Sequence, residues 1–357
     1  MGDSPVLFIP GPTEVDEELR EIMARPLMGH RSAEFVAAVA DTCQRLRPLF
    51  RCANHVAFET CAATALMEAG LRNLVPTGGR TLHLVGGAFG ARWAGISEAS
   101  GRQPDRLEVA WGEAHEPAAV ASQVRDHGPY AAICITHNET STGVLQPLAA
   151  IAAAVREVQP DCLVLVDAVT SLAGAELEFD GWGLDLAFAG SQKCLALPPG
   201  ITSYAVSDRA MEQAKTIESR GFVLDFVRAV PDTIAGKTLA TPCVPLLFAL
   251  RRQLERIEER GLPARWQRHL AMQQRTLQWA EQHDIRPFVS DPAVRSPTVS
   301  CLDASGRDTA QMAERALAAG FRIDQGYGKL KGKAFRIGHM GDHDLERLEA
   351  CLQALIP

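Results

Sequence analysis

Two charged residues, Asp167 and Lys193, stand at the ends of apolar runs, and they are the strongest chemical signal in the chain. The run Leu163-Val164-Leu165-Val166 delivers the carboxylate. The run from Leu184 to Ala189 leads through Gly190, Ser191 and Gln192 to the ammonium. Open α/β sheets hold ligands at the carboxyl ends of their strands. A lysine paired with an acid suits a pyridine cofactor bound as a Schiff base. The amine forms the imine, and the acid keeps the ring nitrogen protonated. Most lysines are solvated surface groups, and an acid after a strand often only caps a helix. The apolar approach to each residue, and the small Gly190 and Ser191 that let backbone come close to a ligand, set this pair apart.

Other candidates are weaker. Thr60-Cys61-Ala62-Ala63-Thr64 is a run of small residues opening a helical stretch, as a phosphate-binding helix N-terminus requires. A plain N-terminus reads the same way. Gly86-Gly87-Ala88-Phe89-Gly90 lacks the glycine spacing and the acidic partner of a dinucleotide loop. Arg336 sits on a short apolar run before Gly338. It can grip a carboxylate bidentately, or it can be a surface ion pair. His339 and His343 have metal-like spacing, but Gly341 and the capping residue Asp342 break the helix between them, and no metal site is expected.

Elements at regular spacing position these residues. Residues 5 to 13, rich in proline, form an extended arm. Asp16 to Ala24 and Ser32 to about Leu49 read as helices, with Ser32 an N-cap. Strand-like runs at Leu82–Val85, Ala131–Thr136, Leu163–Val166 and Leu184–Ala189 alternate with helical stretches at Thr64–Leu74, Pro117–His127 and Leu148–Val158. This pattern predicts an α/β fold with a mostly parallel sheet flanked by helices. Helical material covers Leu246–Arg260 and continues from Arg265 to about His283. Beyond Asp284, strands near 296–302 and 335–337 and helices at Thr309–Ala319 and Asp342–Leu355 suggest a small α+β domain. The expected division is an arm over 1–15, a large cofactor-binding domain over 16–265 and a small C-terminal domain over 266–357.

Composition narrows the function. The chain has 357 residues and a net charge of -7, which argues against nucleic acid as a partner. No apolar span of membrane length occurs, and the first residues lack the layout of a signal peptide. The nine cysteines are odd in number and irregularly spaced. They read as buried, reduced thiols of a cytoplasmic protein.

Taken together, several segments resemble the class V aminotransferases of the pyridoxal-phosphate (PLP) fold-type I superfamily, in the alanine–glyoxylate and serine–pyruvate branch. The segments are Pro10-Gly11-Pro12-Thr13, Gly29-His30-Arg31-Ser32, Thr136 to Gly143, Val166-Asp167-Ala168-Val169, Gly190-Ser191-Gln192-Lys193, Thr241-Pro242 and Phe335-Arg336-Ile337-Gly338. The resemblance implies that Lys193 is the Schiff-base lysine and that Asp167 partners the pyridine nitrogen. It places Val169 and Phe89 against the ring, and Ser141 and Thr142 in the loop beside it. Gln192 and the turn Ala62-Ala63-Thr64 fall at the phosphate. Thr238 and Thr241 correspond to residues reaching the phosphate from a neighbouring subunit, which implies a homodimer with shared sites. Arg336 matches the residue for the substrate carboxylate, and Gly11 belongs to the arm lining the substrate pocket.

The chain departs from the resemblance at Glu59-Thr60-Cys61-Ala62-Ala63-Thr64, where the family carries glycines and serine, and at Thr238, where it carries tyrosine. The expected activity is transfer of an amino group from alanine or serine to glyoxylate or pyruvate. Alternatives are another amino donor (an aminophosphonate or ureido compound), a lyase or desulfurase, or a PLP-fold binding protein without activity. A desulfurase needs a mobile catalytic cysteine, and Cys194 beside Lys193 is poorly suited to that role.

Overall fold

The computed structural model describes residues 4–304 and 306–356. Met1, Gly2 and Asp3, on which the reading of the N-terminus rests in part, lie outside the described residues. A seven-stranded sheet organises the chain. From one edge its strands are His55–Glu59, Thr202–Val206, Leu186–Gly190, Leu163–Asp167, Ala132–Thr136, Arg80–Val85 and Gln103–Glu108. Only Thr202–Val206 runs antiparallel to its neighbours. The strands Ala132–Thr136, Leu163–Asp167 and Leu186–Gly190 are buried at every position. Continuous apolar runs of this kind belong to parallel sheets covered on both faces. One face packs under the helices Ala33–Phe50, Leu148–Val158 and Val244–Arg260, and the other under Ala63–Leu74 and Phe226–Ile234.

Helix starts follow local chemistry. Asp16, Ser32, Ser207 and Asp308 each accept a backbone N–H of the first turn, as expected for N-caps. The last helix, Leu345–Leu355, is capped by Asp344 and not by Asp342. Asp342 is instead an ion-pair hub. Its carboxylate accepts from Gln253 at 2.8 Å and from Arg265 at 2.6 Å, with Arg268 and Arg256 also within reach. Despite the opposing effect of burial, the Arg265 guanidinium, the Gln253 amide and the Arg268 guanidinium hold that carboxyl well below the usual range.

The C-terminal layer has its own core. Val299–Asp303 pairs antiparallel with Ala334–Gly338. Met272 and Trp279 of the helix Leu262–Gln282, together with Phe335, Leu348 and Leu352, are buried with Phe8 of the arm. The arm's strand Val6–Phe8 pairs in parallel with Phe321–Ile323. The N-terminal arm is thus packed into the C-terminal layer. The expected boundary between residues 265 and 266 falls inside the first turn of the helix Leu262–Gln282.

Candidate active site

Asp167 ends its strand with its carboxyl buried among apolar strands, and desolvation pushes its pKa up to about 7. The Val169 N–H donates to its Oδ1 at 2.9 Å, which opposes the shift, and the nearby Glu139 carboxyl adds to it. Lys193 follows the next strand. Burial, with the positive charge of Arg336 second, pulls its ammonium down to about 8. An acid shifted up and an amine shifted down at one cavity wall mark a chemical site and not a pair of solvated charges. Both residues line a cavity of about 190 Å³ at the carboxyl ends of the central strands.

The arm reaches this cavity. The Lys193 Nζ donates to the Pro10 carbonyl, and the Thr13 hydroxyl donates to the Lys193 carbonyl at 3.2 Å. Gly11 has a φ of +94°, and a Cβ there would lie 2.5–2.8 Å from the Lys193 Cδ, Nζ and Cε atoms. The left-handed φ favours glycine here, and a side chain would also displace the Lys193 head group.

On the opposite wall, Ala62 stands at the N-cap of the helix Ala63–Leu74 without a side-chain cap. The amides of Ala62, Ala63 and Thr64 find no acceptor among the described residues and open onto the cavity with Gln192. Uncapped donors at a positive helix end are an anion cradle. Asn138 also faces the cavity. Its Nδ2 donates to Thr170 and Thr298, while its buried Oδ1 has no partner among the described residues. An anion cradle, a buried acid for a ring nitrogen and an amine of lowered pKa together fit PLP.

Of the expected site residues, Ala62, Ala63, Thr64, Phe89, Asp167, Val169, Gln192 and Lys193 come together around this cavity. Ser141 and Thr142 do not. Both are fully buried behind the wall. Ser141 donates to Glu139 Oε1 at 2.5 Å and accepts from the Ala88 N–H at 3.0 Å, and Thr142 turns onto the Glu139 carbonyl. Asn138 and Thr140 form that part of the wall instead. Glu139 also accepts the Phe89 and Gly90 amides, so it fixes the start of the helix that carries Phe89. Arg336 lies one layer back. Its Nε donates to Asp324 at 2.7 Å and its Nη1 to the Thr140 carbonyl at 2.9 Å. Thr238 is half-buried, Thr241 is exposed, and neither lines the cavity of its own chain.

Arg92, Met67, Asn138, Thr140 and Thr170 line the site without having been singled out from the sequence. Arg92 could have been found, because it lies one helical turn beyond Phe89. Asn138 and Thr140 could have been found from their place just past a strand end. His339 and His343 are spent elsewhere. His339 bonds the Ser300 hydroxyl at 3.0 Å, and His343 bonds the Leu7 carbonyl at 2.9 Å and stacks on Phe8. Among the described residues no cluster could hold a metal. Cys194 is buried with its thiol pushed up to about 12, which suits a structural thiol and not a nucleophile.

A buried carboxylate and a half-buried lysine at the strand ends, faced by a helix N-terminus, define the site of a fold-type I PLP enzyme. The aminotransferase class-V family profile matches residues 15–327, and the chain belongs to that family of PLP-dependent transaminases. The chain is 34% identical to the soluble hydrogenase small subunit of a Synechococcus species, covering all of this chain and 94% of that protein. Among solved structures, an alanine–glyoxylate aminotransferase from a Nostoc species is 30% identical, with a TM-score of 0.93, covering 99% of this chain and 94% of that one. An aspartate aminotransferase from Thermus thermophilus is 32% identical, with a TM-score of 0.90, covering 98% of this chain and all of that one. Among the described residues no helix is long and apolar enough to cross a membrane.

Proposed function

We propose that this chain transfers the amino group of a small amino acid, alanine or serine, to glyoxylate or pyruvate, with PLP carried on Lys193. The observation that carries the reading is the pair itself, Asp167 raised to about 7 and Lys193 lowered to about 8 at one cavity. The similarity to an alanine–glyoxylate aminotransferase supports the choice of substrates. Bound PLP supplies an electron-accepting ring for charge developing at the substrate α-carbon.

The chain's own residues do the rest. Asp167 holds a proton at the ring nitrogen, where a cationic partner returns the carboxylate to its charged form. Lys193, with a pKa near 8, is neutral in a useful fraction at physiological pH, so it can both attack a carbonyl and carry a proton. The Ala62–Thr64 amides and Gln192 hold the phosphate, and Phe89 and Val169 enclose the ring. Arg336 receives the substrate carboxylate, and its Nη2 makes no hydrogen bond among the described residues. Thr238 and Thr241 of a second copy complete the phosphate site in a homodimer.

The test is a half-reaction screen. Protein loaded with PLP is mixed with single amino acids, and the aminated cofactor is followed by absorbance. Alanine or serine should convert the cofactor and glyoxylate or pyruvate should regenerate it, while Lys193→Ala should lose both turnover and the visible band of the bound cofactor. A Lys193→Ala protein that keeps that band removes Lys193 from its role. Conversion by other donors only, such as an aminophosphonate, replaces the donor assignment.

A further inference from the structure

Arg92 lines the cavity, and among the described residues no acid pairs with it. Its own helix offers none, because positions three and four away are Ala88, Phe89, Gly95 and Ile96. Its head group is nevertheless positioned. The Cζ lies 4.9 Å from the centroid of the Phe89 ring, and Nη2 donates to the Tyr327 hydroxyl at 3.1 Å. The Phe89 and Tyr327 rings stack with centroids 5.8 Å apart and planes at 17°. An aromatic face and a phenol hydroxyl orient a guanidinium without neutralising it.

Arg336 meets the same tyrosine from its ring side, with its Cζ 5.4 Å from the ring centroid. One tyrosine therefore spaces two guanidiniums. Arg336 is balanced by Asp324 at 2.7 Å, and Arg92 makes no ion pair among the described residues. The positive charge of Arg92 reaches the centre of the site, where it acts on both Asp167 and Lys193. A guanidinium held beside a substrate cavity by a neutral hydroxyl, with no ion pair among the described residues, is suited to a carboxylate.

We propose that Arg92 forms a second carboxylate subsite, one phenol ring from Arg336, so that the site takes four- or five-carbon dicarboxylic amino and 2-oxo acids beside monocarboxylic ones. The subsite rests on the transaminase reading and widens its substrate class. Arg336 takes the carboxylate next to the reacting carbon, and Arg92 takes the distal one.

The experiment uses unreactive probes on the PLP-loaded protein. Succinate and butyrate have four carbons each and differ in one carboxylate, and their affinities are measured by calorimetry. Succinate should bind at least about tenfold more tightly, the scale of one charge-assisted hydrogen-bonded contact. Arg92→Gln should weaken succinate at least about tenfold more than butyrate, and Arg92→Lys should restore part of the difference. Tyr327→Phe, which keeps the ring and removes only the hydroxyl, should weaken succinate in the same sense. Equal affinity for the two probes, or an Arg92→Gln variant that loses both alike, overturns the subsite and leaves Arg92 a packing partner of Phe89. Because no turnover is read, succinate selectivity lost in Arg92→Gln upholds the subsite even in a protein that aminates no cofactor. That second result would fall on the transaminase reading alone.

Discussion

At the scale of single residues, the site is built on one carboxyl that the protein makes costly to ionise. Asp167 is raised to about 7 from an ordinary value of 3.8. In the cofactor-free protein the native state therefore binds more protons than the unfolded chain between these values. Stability from this residue is complete below about pH 4 and is lost as pH rises through 7. Asp167→Asn should raise the melting temperature of the cofactor-free protein at pH 8 and leave it unchanged at pH 4. The gain is roughly 4 kcal/mol at most, since one pKa unit is worth about 1.4 kcal/mol. In the loaded enzyme the same variant should lower turnover by at least about 100-fold, because the ring nitrogen loses its counter-charge. A cofactor-free variant that is no more stable at pH 8 would show that Asp167 is not held at a raised pKa. Gly11→Ala is a second test at this scale. The new methyl meets the Lys193 side chain and takes a left-handed φ, so cofactor capture should slow and stability fall by about 1–3 kcal/mol. Asp167 and Lys193 were legible in the sequence because each is a charge ending an apolar run. Tyr327 was not, because it meets Phe89 and Arg92 from the far end of the chain and nothing local in its own segment signals that contact.

At the scale of elements, the apolar pattern made four of the central strands and several helices legible, but not the buried strands His55–Glu59 and Thr202–Val206 or the helix Phe226–Ile234. The helices Pro117–His127 and Leu148–Val158 fall where the pattern placed them, and the buried central strands differ by a residue or two. The strand Gln103–Glu108 was missed. It is an edge strand of polar, largely exposed residues, held by backbone pairing to Arg80–Val85, and it leaves no apolar signal. Asp342 was misread as a cap because a capping acid and an ion-pair hub look alike in one dimension. The turn before the helix Ala63–Leu74 is the element where this chain departs most from the family pattern. Ala62 supplies no side-chain acceptor at its N-cap. Ala62→Ser should stabilise the cofactor-free protein by about 1 kcal/mol through the restored cap. Its hydroxyl would also face the phosphate cradle, so PLP should bind several-fold more tightly in an absorbance titration. A more stable protein with unchanged PLP binding would mean that the cradle lies elsewhere.

For the whole molecule, the open question is what closes the phosphate side of the cavity. The single chain offers backbone amides, Thr64 and Gln192 there, which is a sparse set for a dianion. Thr241 is exposed, yet the family resemblance gives it a phosphate role across a subunit boundary. Phe222 and Val223 are large apolar residues left 67% and 54% exposed. These features agree if two copies share their sites. Sedimentation should then give the mass of two chains of 38.6 kDa each. Thr241→Ala should weaken PLP binding by roughly tenfold, the loss of one hydrogen bond to a charged group, without lowering the melting temperature of the cofactor-free protein. Phe222→Asp should shift the population towards monomer and lose cofactor in parallel, because each site would be missing its partner's threonine. The two variants separate the contact from the assembly. A monomeric Phe222→Asp protein that binds PLP as tightly as the parent would place the whole cofactor site within one chain and leave Thr241 without a role in it.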